Sequence, residues 1–408
     1  MKFLDLPLDK RIIQAIDELG YTTPTPIQIQ AIPPALEGRD ILGTAQTGTG
    51  KTCAFAVPIL HRLENNVQIS IHNAQLKGKS NKRPLRALIL TPTRELAIQI
   101  DESFEKYGRF MPLKTGLVMG GVSAVNQIKS MTGGVDILTA TPGRFIDLVW
   151  QGHIDPTTVE IFVLDEADRM LDMGFLPDVK RVVEFLPKVR QTLFFSATMP
   201  PEVKKLTDTL LINPVRVAVA PVSATADRIE QWVMMTDKVN KIELLAWALK
   251  QIPPRSSTLV FTRTKHGADK LCRKLTLAGI RCRAIHGDKS QGARQDALDC
   301  FKQGKVGVLV ATDIAARGID IDGIAYVFNF ELPNEPETYV HRIGRTGRAG
   351  REGVAVSLCD IDETKYLADI EKLIGKKVPV EQNHPYTMKN FEPTKKEAKK
   401  ARPPRRRK

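Results

Sequence analysis

Aromatic residues make up only 6% of this 408-residue chain, too few to suggest a surface built from base-stacking platforms. Cysteine is also sparse, with Cys53, Cys272, Cys282, Cys300 and Cys359 the only five. None forms a CxxC pair and none joins histidine at zinc spacing, which excludes a zinc module. They are read as buried thiols of a reducing compartment. No apolar run approaches the ~18 residues a membrane helix needs. The start "MKFLDLPLDKR" lacks the apolar core of a signal peptide. The expectation is a cytoplasmic protein with no membrane partner. Acidic residues are in deficit, 46 Asp and Glu against 60 Lys and Arg, leaving a net charge of +14. A balance of that sign points to a polyanionic partner, nucleic acid first, with a merely solubilising surface as the plain alternative.

Short apolar runs recur, each followed by a polar turn and a helical pattern. The first half has "DILGTA", "RALILTPT", "VDILTATPGR", "EIFVLDEAD" and "QTLFFSAT"; the second has "STLVFTRT", "RCRAIHGD", "VGVLVATD", "IAYVFNFE" and "GVAVSLCD". Such runs predict buried parallel strands in βα units, with functional loops at the strands' carboxyl ends. Two α/β domains are expected, residues 1–217 and 229–380, joined by a small-residue linker over 218–228. Residues 64–83 read as a polar surface excursion. A basic disordered tail is expected over 381–408, its last fifteen residues carrying nine Lys or Arg against one Glu.

"TAQTGTGKTCAF", Thr44–Phe55, follows an apolar strand and opens a helix, the setting of a phosphate-binding loop. The usual first glycine is Ala45. Gln46, Thr47, Gly48, Thr49 and Gly50 supply the turn whose amides can face phosphate oxygens. Lys51 brings a charge, and Thr52 a hydroxyl suited to Mg²⁺ at a helix start that favours anions. In "FVLDEADRM" an apolar strand ends in Asp165 and Glu166. An acid there can hold Mg²⁺, usually through water, and its neighbour can orient or deprotonate an attacking water. Thr52, Asp165 and Glu166 are therefore the candidate metal-site residues. No NKxD guanine reader is present, which favours ATP.

"DEAD" at Asp165–Asp168, with the pieces that follow, makes residues 1 to about 375 resemble a DEAD-box RNA helicase. The short start and basic tail look most similar to the bacterial RhlE-type subgroup. The resemblance implies two RecA-like domains, each a mainly parallel sheet flanked by helices. "GYTTPTPIQ", Gly20–Gln28, is similar to the family's Q motif, and implies that Gln28 reads the adenine edge with Tyr21 and the upstream Phe3 near the base. "SAT" implies that the Ser196 and Thr198 hydroxyls bond Asp168. "HRIGRTGRAG" implies that Arg345 and Arg348 are arginine fingers and that His341 joins the Asp168 network. "RGIDI" implies that Asp320 lies on the ATP ribose.

The other strand-end loops combine small residues, hydroxyls and single arginines, the groups that grip phosphate and sugar without reading bases. In the family's order they form an RNA track: Pro92, Thr93 and Arg94; Gly121; Thr141, Pro142, Gly143 and Arg144. The second half adds Arg263; Gly287, Gln291 and Arg294; and Thr312, Asp313, Arg317 and Gly318. The resulting expectation is an RNA-dependent ATPase that closes its domains on RNA and opens short duplexes or remodels RNA–protein particles, with ribosome-assembly or RNA-decay proteins as conceivable partners. An ATP-gated RNA clamp with incidental unwinding and a DNA-directed helicase of the same superfamily stay open.

Overall fold

The computed structural model describes residues 2–46, 48–65, 82–219, 229–254, 256–316, 323–347 and 353–392. The chain divides into two compact units. The first is Met1–Ala224 with Lys289–Ala293 and Ile314–Asp322, and the second is the remainder.

The first unit is built on seven strands: β1 (Ile41–Thr44), β2 (Ala87–Leu90), β3 (Thr115–Val118), β4 (Ile137–Ala140), β5 (Ile161–Leu164), β6 (Gln191–Ser196) and β7 (Val215–Ala218). All pair in parallel, in the order β3-β4-β2-β5-β6-β1-β7. Successive side chains of a strand face opposite sides of the sheet, and the core divides accordingly. Ile41, Ile89, Ile161, Val163, Leu193 and Phe195 join one apolar cluster. Leu42, Leu88, Leu90, Phe162, Leu164 and Phe194 join the other. Both clusters are covered by helices, as an all-parallel sheet requires.

The second unit has six strands: β8 (Ile229–Met235), β9 (Thr258–Thr262), β10 (Cys282–Ile285), β11 (Val308–Thr312), β12 (Tyr326–Asn329) and β13 (Gly353–Cys359). They are again parallel, in the order β10-β11-β9-β12-β13-β8. Val260, Val310, Phe328 and Leu358 pack on Leu244, Leu245 and Ala248 of the helix Lys241–Gln251 and on Leu271 and Leu275 of the helix Lys265–Leu277. Each such fully buried side chain contributes about 1.5–3 kcal/mol relative to its exposed state.

The fold class is as expected, but ten apolar runs have become thirteen strands among the described residues. The additional three, β3, β7 and β8, all lie at sheet edges. An edge strand has one neighbour and can remain half exposed, so its sequence need not be a continuous apolar run. Burial along β7 accordingly falls mainly on Val217.

Two boundaries differ from the sequence expectation. Ala218, read as the start of the linker, is the last residue of β7; residues 220–228 lie outside the described residues. Residues 381–392, read as the beginning of the tail, follow β8. Val380 bridges Val233, Glu381 N donates to Val233 O at 2.9 Å, and Met388 N donates to Met235 O at 3.2 Å. The Asp237 carboxylate accepts from the amides of Lys389 and Asn390. Unpaired backbone groups on the β8 edge account for this docking, a signal that side-chain charge alone does not carry. Residues 66–81, most of the polar excursion, and the basic residues 393–408 lie outside the described residues.

Candidate ATP and RNA sites

The loop after β1 turns back on its own helix. Gly48 and Gly50 have φ of +84° and +93°, and a side chain at Gly50 would collide with the Gln28 amide. The Thr49 hydroxyl donates to Gln46 O at 2.7 Å, and Lys51 Nζ donates to Ala45 O at 2.8 Å. Lys51 opens the helix Lys51–Asn65, with Thr52 as its second residue. Thr47 lies outside the described residues.

Gln28 lies in the first turn of the helix Pro26–Leu36. Its Oε1 accepts from Thr25 N at 2.8 Å, and its Nε2 donates to Gly50 O at 3.1 Å. The residue read as an adenine reader therefore also ties its helix start to the phosphate-type loop. Tyr21 is half exposed, with its ring 6.3 Å from that of Tyr107. Phe3 is buried in the first unit's core beside Leu6, Ile12 and Ile27.

β5 delivers Asp165 and Glu166 into the interior, 2% and 3% exposed. Burial pushes the Asp165 carboxyl up to about 6; the Lys51 ammonium opposes this and the Glu166 charge adds to it. A buried carboxylate in that condition is stabilised by an added cation. Glu166 adopts left-handed backbone, φ +55° and ψ +49°. That conformation costs a non-glycine residue about 1–2 kcal/mol. It turns the chain from β5 directly into the helix Ala167–Asp172. The Glu166 carboxylate pairs with Arg169 Nη1 at 2.8 Å, with both side chains buried. Sequence reasoning gave Arg169 no role, although its i, i+3 spacing from Glu166 was a usable signal.

Asp168 connects this helix to β6. Its Oδ2 accepts from Thr198 N at 2.8 Å and from Thr198 Oγ1 at 3.0 Å. Ser196 Oγ instead accepts from the Asp168 backbone amide at 3.2 Å and donates to Thr198 O at 2.7 Å. The two hydroxyls thus divide the work: one holds the carboxylate, the other the backbone.

The second set of loops follows β2, β4 and β3. Thr93 caps the helix Arg94–Tyr107, and Pro142 and Gly143 open the helix Pro142–Trp150. Thr141 Oγ1 accepts from Gly120 N at 3.3 Å, and Arg144 Nη2 donates to Val122 O at 3.1 Å. Gln127, which the sequence did not single out, grips Met119 through both N–H and C=O, at 3.1 and 3.0 Å. Gly121 has φ +75°, and a side chain there would strike the Arg94 guanidinium. Gly121→Ala should therefore displace Arg94 and strain the loop. We expect it to weaken RNA binding severalfold while ATP affinity without RNA stays unchanged, as measured by titration of each ligand.

In the second unit, Arg263 follows β9. Its amide donates to Glu331 Oε2 at 2.8 Å, and its guanidinium pairs with Glu363 and lies 5.2 Å from the Tyr366 ring centre. Buried Lys241 pairs with Glu363 and, at 3.1 Å, with Asp360. Arg294, in the helix Gln291–Lys302, is buried, whereas Gly287 lies in the exposed turn after β10; Gln291, also buried, is grouped with the first unit. Thr312 ends β11. The Asp313 carboxylate accepts from Arg342 Nε and Nη2 at 2.5 and 2.8 Å. Arg342, also without an assigned role from sequence, further donates to Asn329 Oδ1 and Glu331 O. Its 29-residue separation from Asp313 left no local signal. His341 lies on the helix Pro336–Ile343, and Arg345 is buried just beyond it. Arg317, Gly318, Asp320 and Arg348 lie outside the described residues.

Sheet order sorts the motifs. In the first unit the phosphate-type loop, the Ser196–Thr198 turn and the acidic turn follow the neighbours β1, β6 and β5. The loops of RNA type follow the neighbours β2, β4 and β3. In the second unit Arg263 and Gly287 follow β9 and β10 and Thr312 ends β11, again contiguous strands, while the helix Pro336–Ile343 with Arg342 follows β12.

Residues 25–206 match the DEAD/DEAH box helicase family, and residues 240–350 match the helicase conserved C-terminal domain. The DEAD-box ATP-dependent RNA helicase RhpA of Helicobacter pylori is 41% identical over 376 residues, covering 92% of this chain and 73% of RhpA. The ATP-dependent RNA helicase CshA of Listeria monocytogenes is 40% identical, covering 92% of this chain and 69% of CshA. The structure of S. cerevisiae Dbp5 bound to RNA and ADP-BeF3 superposes with a TM-score of 0.80 at 30% identity, over 93% of this chain and 95% of that one. On these matches, and on motifs that span both units, the chain belongs to the DEAD-box ATP-dependent RNA helicases.

Proposed function

We propose that the protein couples ATP binding and hydrolysis to closure of its two units on RNA, opening short duplexes or remodelling RNA–protein particles. The observation that carries this reading is the sorting of strand ends: ATP-type motifs on one half of the first sheet's carboxyl edge, backbone-gripping loops on the other. A conformational change at β5 is thereby one strand away from β2 and its RNA-type loop, and a change at β6 two strands away.

Lys51 neutralises phosphate charge, Glu166 orients water, and Asp168 with Ser196 and Thr198 transmits the state of the site. Arg345 and Arg348 stabilise the charge that develops on the transferred phosphoryl group. Asp320 holds the ribose. Among the described residues no cluster of three or more His, Cys, Asp or Glu side chains is arranged to hold a metal. This fits Mg²⁺, which keeps several waters and binds through one or two protein groups plus substrate phosphates. Thr52 and the buried Asp165, with Glu166 adjacent, are the residues that would hold it. When bound, Mg²⁺ neutralises phosphate charge.

We propose domain limits of 1–218 and 229–392 about a linker of 219–228, because Ala218 ends β7 and residues 381–392 dock on β8. An RhlE-type subgroup is proposed on the basic composition of residues 394–408 alone. Among the described residues no helix is long and apolar enough to cross a membrane, and a cytoplasmic site in ribosome assembly or RNA decay is the proposed setting.

The test is ATPase activity and strand displacement with RNA and with DNA of the same sequence. RNA should stimulate turnover and DNA should not. Stimulation by DNA in preference to RNA would assign the protein to DNA, and RNA retention without strand displacement would make it a clamp. Nucleotide choice is a separate expectation. Gln28→Ala should raise KM for ATP about tenfold and narrow the preference for ATP over GTP, because one amide serves both the base and Gly50. Wild-type protein that hydrolyses GTP as well as ATP would remove the base-reading role.

A further inference from the structure

We propose that Cys272 and Cys282 are a modification site: on exposure to a hydroperoxide they form a reversible disulfide that fastens an edge strand of the second unit to the helix packed on it. The two sulfurs are 2.8 Å apart. That is closer than two sulfurs in ordinary contact and only about 0.8 Å beyond a bond of ~2.05 Å. Cys272 lies in the helix Lys265–Leu277, and Cys282 is the first residue of β10, which has β11 as its one neighbour in the sheet. A turn through Gly279, with φ +83°, brings the chain back so that the two side chains face each other. Both thiols are free in this structure.

The two sulfurs differ in their contacts, and Cys282 Sγ also lies 3.1 Å from the Cys272 carbonyl oxygen, to which its thiol can donate. Cys282 Sγ lies beside the Cys272 thiol and 3.6 Å from the Thr276 hydroxyl, with Arg283 adjacent in sequence. These groups favour its thiolate, chiefly through the Cys272 contact, and hold it below the usual thiol range against the opposing effect of burial. The same contact raises the Cys272 thiol. Two other cysteines are poorer candidates, because burial pushes Cys53 and Cys359 up to about 12. Cys272 is only partly buried, and this gives a small peroxide a route to the pair.

The chemistry balances in two steps. The Cys282 thiolate attacks one peroxide oxygen, the O–O bond breaks, and hydroxide leaves, giving Cys282 sulfenic acid. Cys272 sulfur then attacks the sulfenic sulfur; the S–O bond breaks and water leaves with the Cys272 proton. Overall two thiols are oxidised by two electrons, and one hydrogen peroxide becomes two waters. A dithiol reductant reverses the step by exchange.

The consequence follows from position. Edge strands fray first, because one side has no ladder partner. The cross-link closes a loop spanning the ten-residue separation of the pair, at the amino end of β10. Gly287 and the loop of RNA type stand at its carboxyl end. Oxidation should stabilise the second unit while sparing RNA-stimulated turnover.

The full-length protein is treated with a small excess of hydrogen peroxide, denatured, blocked with N-ethylmaleimide and digested. The reduced protein has five reactive thiols. The oxidised protein should show three, since five minus two remain, with one cross-linked peptide joining Cys272 to Cys282. Dithiothreitol should restore all five. The oxidised form should melt about 5 °C higher. In Cys272→Ser, Cys282 should accumulate as a sulfenic acid trapped by dimedone. Five labelled thiols after treatment, a cross-link through another cysteine, or direct passage of Cys282 to sulfinic acid would each overturn the proposal. The peptide map on wild-type protein decides even if the variant fails to fold.

Discussion

Replacing Arg345 or Arg348 by alanine should lower RNA-stimulated ATP turnover by about 10³–10⁵-fold, the loss typical of an arginine finger. The argument concerns charge. A phosphoryl group in transfer spreads negative charge over its oxygens, and a guanidinium placed there stabilises that charge more than it stabilises bound ATP. The loop carrying Arg345 is held to the second sheet: Thr346 Oγ1 donates to Ile324 O at 2.6 Å and to Ala325 O at 3.1 Å. Gly347 turns the chain with φ +66°. Alanine at position 345 should therefore leave the loop path intact and remove the charge. The measurement is steady-state ATPase at saturating RNA, beside ATP affinity from a fluorescent analogue. Turnover should collapse while ATP affinity changes by less than about tenfold. Near-normal turnover in both single variants would show that the transition state is neutralised from elsewhere.

Glu166→Gln is expected to lower turnover by about 10²–10⁴-fold, the usual contribution of a positioned general base, and to trap the protein on RNA with ATP bound. Glutamine preserves the size of the side chain and one oxygen for Arg169. It cannot take a proton from water. Deleting one partner of a buried ion pair can cost about 3–5 kcal/mol, so the melting temperature must be measured alongside. Lys51→Ala supplies the contrast, because it should weaken nucleotide binding itself. If Glu166→Gln hydrolyses ATP at the wild-type rate, another group orients the water and Glu166 serves the fold through Arg169.

The motifs were legible because their chemistry is local. A turn that wraps phosphate needs glycine within a few residues of a lysine, and an acid at a strand end follows directly from the apolar run before it. "AQTGTGKT", "DEAD" and the central strands of both sheets could therefore be read from the sequence, as could the α/β class. The edge strands β3, β7 and β8 could not, because a strand with one neighbour need not be uniformly apolar. Docking of residues 381–392 on β8 was equally hidden, since it rests on backbone groups that every residue carries.

Only the tertiary structure decided which partners each functional group holds. Arg342 meets Asp313, and Arg263 meets Glu363, across separations of 29 and 100 residues. No local pattern encodes such distances; strand order and sheet packing do. The same holds for Gln28, whose amide spans 22 residues to Gly50, and for the left-handed turn at Glu166. By itself the sequence determined the motifs, because each is a short contiguous run of residues. Packing determined their geometry, since buried charges and amides must find partners wherever the fold places them.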